Sequence, residues 1–450
     1  MRTIIENAAI ATVDANRTEY GNGHVVIDGA VIESVGAGPG PDRADRRMDA
    51  RGCLVTPGFV NTHHHLYQWA TRGYGQDSTL FEWLTELYPV WAGLDEEITG
   101  SAAVAGLTRL AMTGCTTASD HHYVFPRDGG DLFAAVVEAG RTVGIRLHAV
   151  RGSMDRGESQ GGLPPDSVVE TLDAALAGTA EAIDRYHDPA PDSFVRVAVG
   201  PCSPFSVSED LMRRSAELAR DKGVRLHTHL AETLDEERQC FDEYGCTPAE
   251  LADRLGWLGA DVWHAHGIHL SDGAVARFGA TGTGVAHCPT SNSRLGAGIA
   301  RAADLVAAGA PVGLGVDGAA SNEDGGLGVE LRAATYLARQ RGGPTAMAPR
   351  DALWLATMGG ARCLGRDAEL GSLEPGKQAD LAVWRLDGLA HAGIADPVAA
   401  LVFAELPPLA LLLAGGRPVV ENGECRTVDQ HAAAASLRTA SERLAAKADR

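Results

Sequence analysis

Eight short apolar runs, spread between residues 53 and 317, constrain this chain more than any other feature. They read CLVTPGFVNTH, CTTASDHH, IRLHAVRG, VRVAVGPC, VRLHTHL, VWHAHG, GVAHC and VGLGVD, and each closes in polar residues or Cys. Alanine-rich, helix-length stretches separate them. Strand-length runs alternating with helices build parallel sheets, and eight such units close into an α/β (β/α)8 TIM barrel. The rival is an open doubly wound sheet, which leaves the first and eighth strands apart. Closure sets them side by side. In a barrel the functional groups stand at the carboxyl ends of the strands. Here those ends carry His63 and His65, Asp120, Arg151, Cys202, His229, His266, His287 and Asp317.

The two ends of the chain have a different texture. VVIDGAVIESVGA holds two strand-rich halves around an Asp-Gly turn, the pattern of a hairpin. Near the other end ADLAVWRLDG precedes LLLAGGRPVVENGE, with Gly-Gly and Asn-Gly turns. Residues 1–56 and 366–430 are expected to pair into one small β-sandwich domain. Residues 57–365 would form the barrel, and the alanine-rich stretch 431–450 a terminal helix. Thr247-Pro248-Ala249-Glu250 predicts a capped helix start with proline at its first position.

Composition narrows the partners. Acidic residues outnumber Lys plus Arg by 59 to 39, a formal net charge of −20. That argues against polyanions, so no nucleic-acid partner is expected. No run of 18 apolar residues occurs, so no membrane span is expected. The opening MRTIIENAAIATVD lacks an apolar signal core, which predicts a cytoplasmic protein. Cys53, Cys115, Cys202, Cys240, Cys246, Cys288, Cys363 and Cys425 form no CxxC pair, so free, mostly buried thiols are expected.

Residues i and i+2 of a strand face one way. His63 and His65 therefore converge, and His64 points away. With His229 from the fifth strand and Asp317 from the eighth they offer three imidazoles and one carboxylate. That set suits one borderline divalent ion such as Zn2+, and Fe2+ or Mn2+ would fit the same ligands. A single strand histidine is more often a satisfied core residue. Four ligand-type residues at the right ends of three strands are harder to explain that way. A catalytic metal lowers the pKa of its water from 15.7 to roughly 7, and hydrolysis then needs a group to move protons. Glu232, three residues past His229, is placed to protonate a substrate nitrogen. His266 and the free oxygen of Asp317 are placed to hold or deprotonate water. Cys202 and Ser203 end the fourth strand and His122 the second, so all three can line a pocket. Trp69, Phe81, Trp83, Tyr88 and Trp91 follow the first strand and suit either a stacked heterocycle or a packed lid. HExxH is absent, and Pro201-Cys202 lacks the second cysteine of a cytidine-deaminase site.

PGFVNTHHH, HTHLAET, HAHGIHLSD, GLGVDGAASNE and the tail LGSLEPGKQADLAVW resemble the mononuclear aminohydrolase branch of the amidohydrolase superfamily. The likeness spans nearly the whole chain. It implies His63, His65, His229 and Asp317 as metal ligands, His266 as a water-orienting base and Glu232 as proton shuttle. Within the branch, ASDHHYVFP, RGSMDRGESQGGLPPD and GPCSPFSVS look most like 8-oxoguanine deaminases. Triazine hydrolases have similar segments, but some replace the eighth-strand Asp with Thr, and Asp317 is intact here. Guanine deaminases carry a glutamine three residues after the HxH pair, which Gln68 matches as a substrate contact. Their fourth strand ends in Arg-Phe, and here the pair is Pro204-Phe205.

The resemblance thus implies a metal-dependent deaminase taking 8-oxoguanine to urate and ammonia, in a chain that forms homo-oligomers. Other readings stay open. One is an aminohydrolase of s-triazines of the hydroxyatrazine type. Another is a deaminase of guanine, isocytosine or a pterin. Outside enzymology stands a metal-storing or ligand-sensing barrel, which would have no use for Glu232 and His266.

Overall fold

The computed structural model describes residues 1–448. Its centre is a parallel barrel built from Phe59–Asn61, Cys115–His122, Arg146–Ser153, Val195–Pro201, Leu226–Leu230, Val262–His266, Gly284–His287 and Val312–Leu314. These strands pair in sequence order. The last returns to the first through side-chain and backbone bonds. Thr62 N donates to Leu314 O at 2.9 Å and Asp317 N to His63 O at 3.1 Å, while Val316 N donates to Asn61 Oδ1 at 2.9 Å. A short parallel ladder of His64–His65 with Asp317–Gly318 completes the seam. All eight predicted runs therefore contribute a barrel strand.

One run is divided. CLVTPGFVNTH gives Cys53–Pro57 to the sheet made by the chain ends and only Phe59–Asn61 to the barrel. Gly58 makes the switch. Its N–H donates to Asp380 O at 2.9 Å, and a Cβ there would collide with Thr116. The helix start at Thr247 forms as expected. Glu250 Oε2 accepts the Thr247 N–H at 2.9 Å, and Thr247 Oγ1 accepts the Glu250 N–H at 3.3 Å, with Pro248 opening the helix.

Strands from both chain ends share one nine-stranded mixed sheet. Cys53–Pro57 lies near its middle, antiparallel to Leu381–Arg385 and parallel to Arg2–Ala11. The predicted Asp28-Gly29 hairpin joins Glu19–Asp28 to Val31–Ala37. Alternation along the strands gives the sheet two apolar faces. Val55, Val383, Leu411 and Leu413 build the small domain's own core. Leu54, Ala382, Trp384 and Leu412 join the core of the barrel. Between the two, Arg146 at the start of the third barrel strand meets Asp380 in a buried pair, Nε to Oδ2 at 3.0 Å.

The terminal helix runs Gln430–Ala448; the predicted end of that helix, residues 449–450, lies outside the described residues. It packs on Glu96–Met112 and on Leu80–Trp91, the helix that overhangs the barrel mouth. Among the described residues no helix is long and apolar enough to cross a membrane.

Candidate active site

At the carboxyl ends of the strands the fold gathers His63, His65, His229 and Asp317, all buried. Their hydrogen bonds fix what each offers. A neutral imidazole carries one N–H, and its partner decides which nitrogen keeps it. A carbonyl oxygen only accepts. His65 Nδ1 thus donates to His121 O at 2.7 Å, and His229 Nδ1 to Cys202 O at 2.6 Å. His227 Nδ1 donates to Trp263 O at 2.8 Å, so its Nε2 accepts from His63 Nδ1, 2.8 Å away. Burial is the largest influence on these four rings and holds their pKa values below the usual histidine range.

Three Nε2 lone pairs and Asp317 Oδ1 are left facing one another. His65 Nε2 and His229 Nε2 stand 3.0 Å apart, and His63 Nε2 and His65 Nε2 are each 3.3 Å from Asp317 Oδ1. His63 Nε2 has no hydrogen-bond partner among the described residues. Lone pairs in such proximity repel unless a cation lies between them. Three imidazoles and a carboxylate, each oriented by a further hydrogen bond, fit one divalent metal ion.

Asp317 is held on both sides. Gly318 N donates to Oδ1 at 2.8 Å and Ser291 Oγ to Oδ2 at 2.6 Å. Burial alone would raise its pKa, but His63, His266 and His65 together hold it well below the usual carboxylate range. Glu232 shows the opposite balance. Burial pushes it up to about 7, with His266 pulling only partly the other way. Its Oε2 lies 3.5 Å from His266 Nε2. Burial disfavours charge on His266 as well, but Glu232 and Asp317 outweigh it and raise the pKa. His266 Nδ1 is within 2.9 Å of Asn292 Oδ1, an acceptor, which leaves Nε2 facing Glu232.

Backbone geometry sharpens the site. Ala231, His266 and Asp317 adopt positive φ values of 52°, 71° and 63°, conformations that cost a non-glycine residue about 1 kcal/mol or more. The turn at Ala231 is braced by Glu236, whose carboxylate accepts the N–H groups of Ala231 and Glu232 at 2.9 and 2.7 Å.

A pocket of about 380 Å3, its open mouth included, lies over these groups. His65, His229, Glu232, His266 and Asp317 form its polar side, and Trp83, Tyr88, Tyr123 and Phe205 form much of its apolar wall. Gln68 lines it too, with Oε1 unpartnered among the described residues. That side chain lies against Gly318, where any Cβ would overlap it. Cys202 reaches the pocket, with Sγ 4.0 Å from His229 Nδ1.

Two expectations fail on geometry, and one position that the sequence leaves open, His287, is placed. His122 does not reach the pocket. The second strand continues through it, so alternation turns His121 inward and His122 outward, where Nε2 donates to Val124 O at 3.0 Å. Tyr123 takes the pocket position instead. Ser203 turns away, its hydroxyl paired with Ser206 Oγ at 2.7 Å. His287 is buried but off the pocket.

Other residues were not foreseen. His121 stacks on His229 with centroids 5.0 Å apart. His227 orients His63, and its signal was present, since HTHL puts it on the same strand face as His229. Ser291 and Asn292, on the short helix Pro289–Arg294 after the seventh strand, gave no spacing signal.

The Amidohydrolase family model matches residues 54–417. The chain is 45% identical to an 8-oxoguanine deaminase of Pseudomonas aeruginosa, over 99% of each chain. It is 36% identical to an isoxanthopterin deaminase from an unknown prokaryotic organism, covering 93% of this chain and 92% of that protein. Among solved structures, a zinc complex of atrazine chlorohydrolase from Arthrobacter aurescens superposes with a TM-score of 0.93 at 33% identity, covering 98% of this chain and 100% of that one.

Proposed function

Since this chain belongs to the amidohydrolase family, we propose that it hydrolyses 8-oxoguanine to urate and ammonia with the help of one zinc ion. The observation that carries the chemistry is Glu232, a carboxyl 3.5 Å from His266 that burial pushes up to about 7, lining the same pocket as His65, His229 and Asp317. The substrate follows from the 45% identity to an 8-oxoguanine deaminase along the whole chain.

His63, His65, His229 and Asp317 would hold the ion, which when bound makes water a nucleophile at neutral pH. The chain's own residues do the rest. Glu232, whose raised pKa lets it carry a proton near neutrality, donates to the ring nitrogen beside the amino-bearing carbon as a C–O bond forms there. His266, its Nδ1 proton committed to Asn292, presents Nε2 to take the proton that water gives up. Proton transfer to the amino group then makes it a leaving group. The C–N bond breaks, ammonia departs and the new carbonyl remains. Gln68 offers both a donor and an acceptor to the amide-like edge of the base. Tyr88, Tyr123 and Phe205 give the flat ring an apolar slot.

The test is release of ammonia from 8-oxoguanine by protein of known metal content, set against alkylamine release from hydroxylated triazines. Ammonia release should be far the faster. The reverse order would make this a triazine hydrolase.

His227 offers a second test of the metal site. His227→Phe keeps a ring on Trp263, with which His227 stacks at 4.5 Å, but removes the acceptor that holds His63. Metal affinity should fall by about 10- to 100-fold, read by competition with a chelator.

A further inference from the structure

We propose that Trp83 is the residue by which the pocket reads the oxygen that distinguishes 8-oxoguanine from guanine. This rests on the purine deaminase reading above and adds a specificity determinant to it.

The argument begins with the tryptophans as a set. Six are buried: Trp69, Trp83, Trp91, Trp257, Trp263 and Trp384. Five donate their indole N–H to a protein acceptor. Trp69 bonds His64 Nε2 at 3.2 Å, Trp91 bonds Thr71 Oγ1 at 3.1 Å, and Trp257 bonds Met212 O at 2.9 Å. Trp263 bonds Thr62 O at 3.0 Å and Trp384 bonds Thr56 Oγ1 at 2.9 Å. Trp83 alone has a buried Nε1 with no partner among the described residues. It is also the only one of the six that lines the pocket.

A buried N–H without an acceptor is destabilising, and native proteins seldom keep one. An indole N–H can only donate, so in the pocket it calls for an acceptor, which a bound ligand can bring. The ring is not free to turn elsewhere. It packs edge-on against Trp91 with centroids 5.3 Å apart. Gly75 presses on its five-membered edge, where a Cβ would lie 2.5 Å from Cδ1. Its helix, Leu80–Trp91, starts at a Thr79–Glu82 capping box. Trp83 makes no ring contact with any site imidazole, whereas Tyr123 stacks edge-on to His65. It lines the pocket beside Leu80, Leu84 and Tyr88, and on this ground we place it on the wall away from the reacting groups. A purine with its amino-bearing carbon at Glu232 turns its five-membered ring toward that wall. There 8-oxoguanine presents a carbonyl oxygen, an acceptor, and guanine presents a C–H.

The experiment compares kcat/KM for 8-oxoguanine and guanine in wild-type protein and in Trp83→Phe, which keeps an aromatic ring and removes the donor. The ratio of the two constants should fall about ten-fold, chiefly through KM for 8-oxoguanine. Equal losses on both substrates, or no loss, would overturn the proposal. A second measurement needs no variant. Urate keeps the 8-oxo group and xanthine lacks it, so urate should inhibit wild-type protein at least ten-fold more tightly, and comparable inhibition overturns the proposal. Ammonia release from pterins or triazines but from neither purine would instead overturn the purine reading, and this proposal with it.

Discussion

Glu232→Gln will keep its metal and lose most of its turnover. Glutamine has nearly the same shape and keeps the backbone N–H that Glu236 holds, so the turn at Ala231 should survive. It cannot donate an acidic proton. General acid–base groups typically contribute 10^2 to 10^4 in rate, and a loss in kcat of about that size is expected. Metal analysis of the purified variant decides the interpretation. An unchanged metal content with low kcat assigns proton transfer to Glu232. Loss of metal would make it a ligand, and near-normal kcat would leave His266 as the proton carrier.

The second large effect concerns Asp317. It supplies the one anionic donor among three neutral imidazoles, and its carboxylate accepts from the Gly318 N–H and Ser291 Oγ. Asp317→Asn preserves volume and can still accept from Ser291 Oγ, but it removes that charge. Metal affinity should fall by well over the roughly 10- to 100-fold that loss of an outer partner brings. Dialysed protein should then be nearly metal-free and inactive, with activity partly restored by excess metal. Full metal content at wild-type affinity would remove Asp317 from the ligand set.

Much of this site could be read from the chain because barrels present their functional groups at strand ends. His63, His65, His229, His266 and Asp317 each close an apolar run, and alternation was enough to separate His64 from its neighbours. His64 indeed turns off to accept from Trp69. The failures have separate causes. His122 does close the second strand, as the run CTTASDHH suggests, but alternation gives the inward face to His121 and turns His122 out. Ser203 found a partner in Ser206 within its own turn. Ser291 and Asn292 reach Asp317 and His266 from a different loop, 26 residues away in each case, and no local pattern reports such a meeting. The divided first run was hidden for a similar reason. Gly58 switches sheets because Thr116 and Asp380 surround it, and both are distant in sequence.

The sheet shared by the two chain ends has a consequence for how the protein is made. Cys53–Pro57 leaves the ribosome early, yet its antiparallel neighbour Leu381–Arg385 follows more than 300 residues later. At about 5–20 residues per second this is a wait of some tens of seconds. During that time one edge of the early strands is unpaired and open to the wrong neighbour. The barrel strands, each pairing with the next to appear, need no such delay. Assembly should therefore begin in the barrel and end at its base, with Asp380 arriving to neutralise an Arg146 already enclosed. The nascent chain's most aggregation-prone interval would fall just before that late strand emerges.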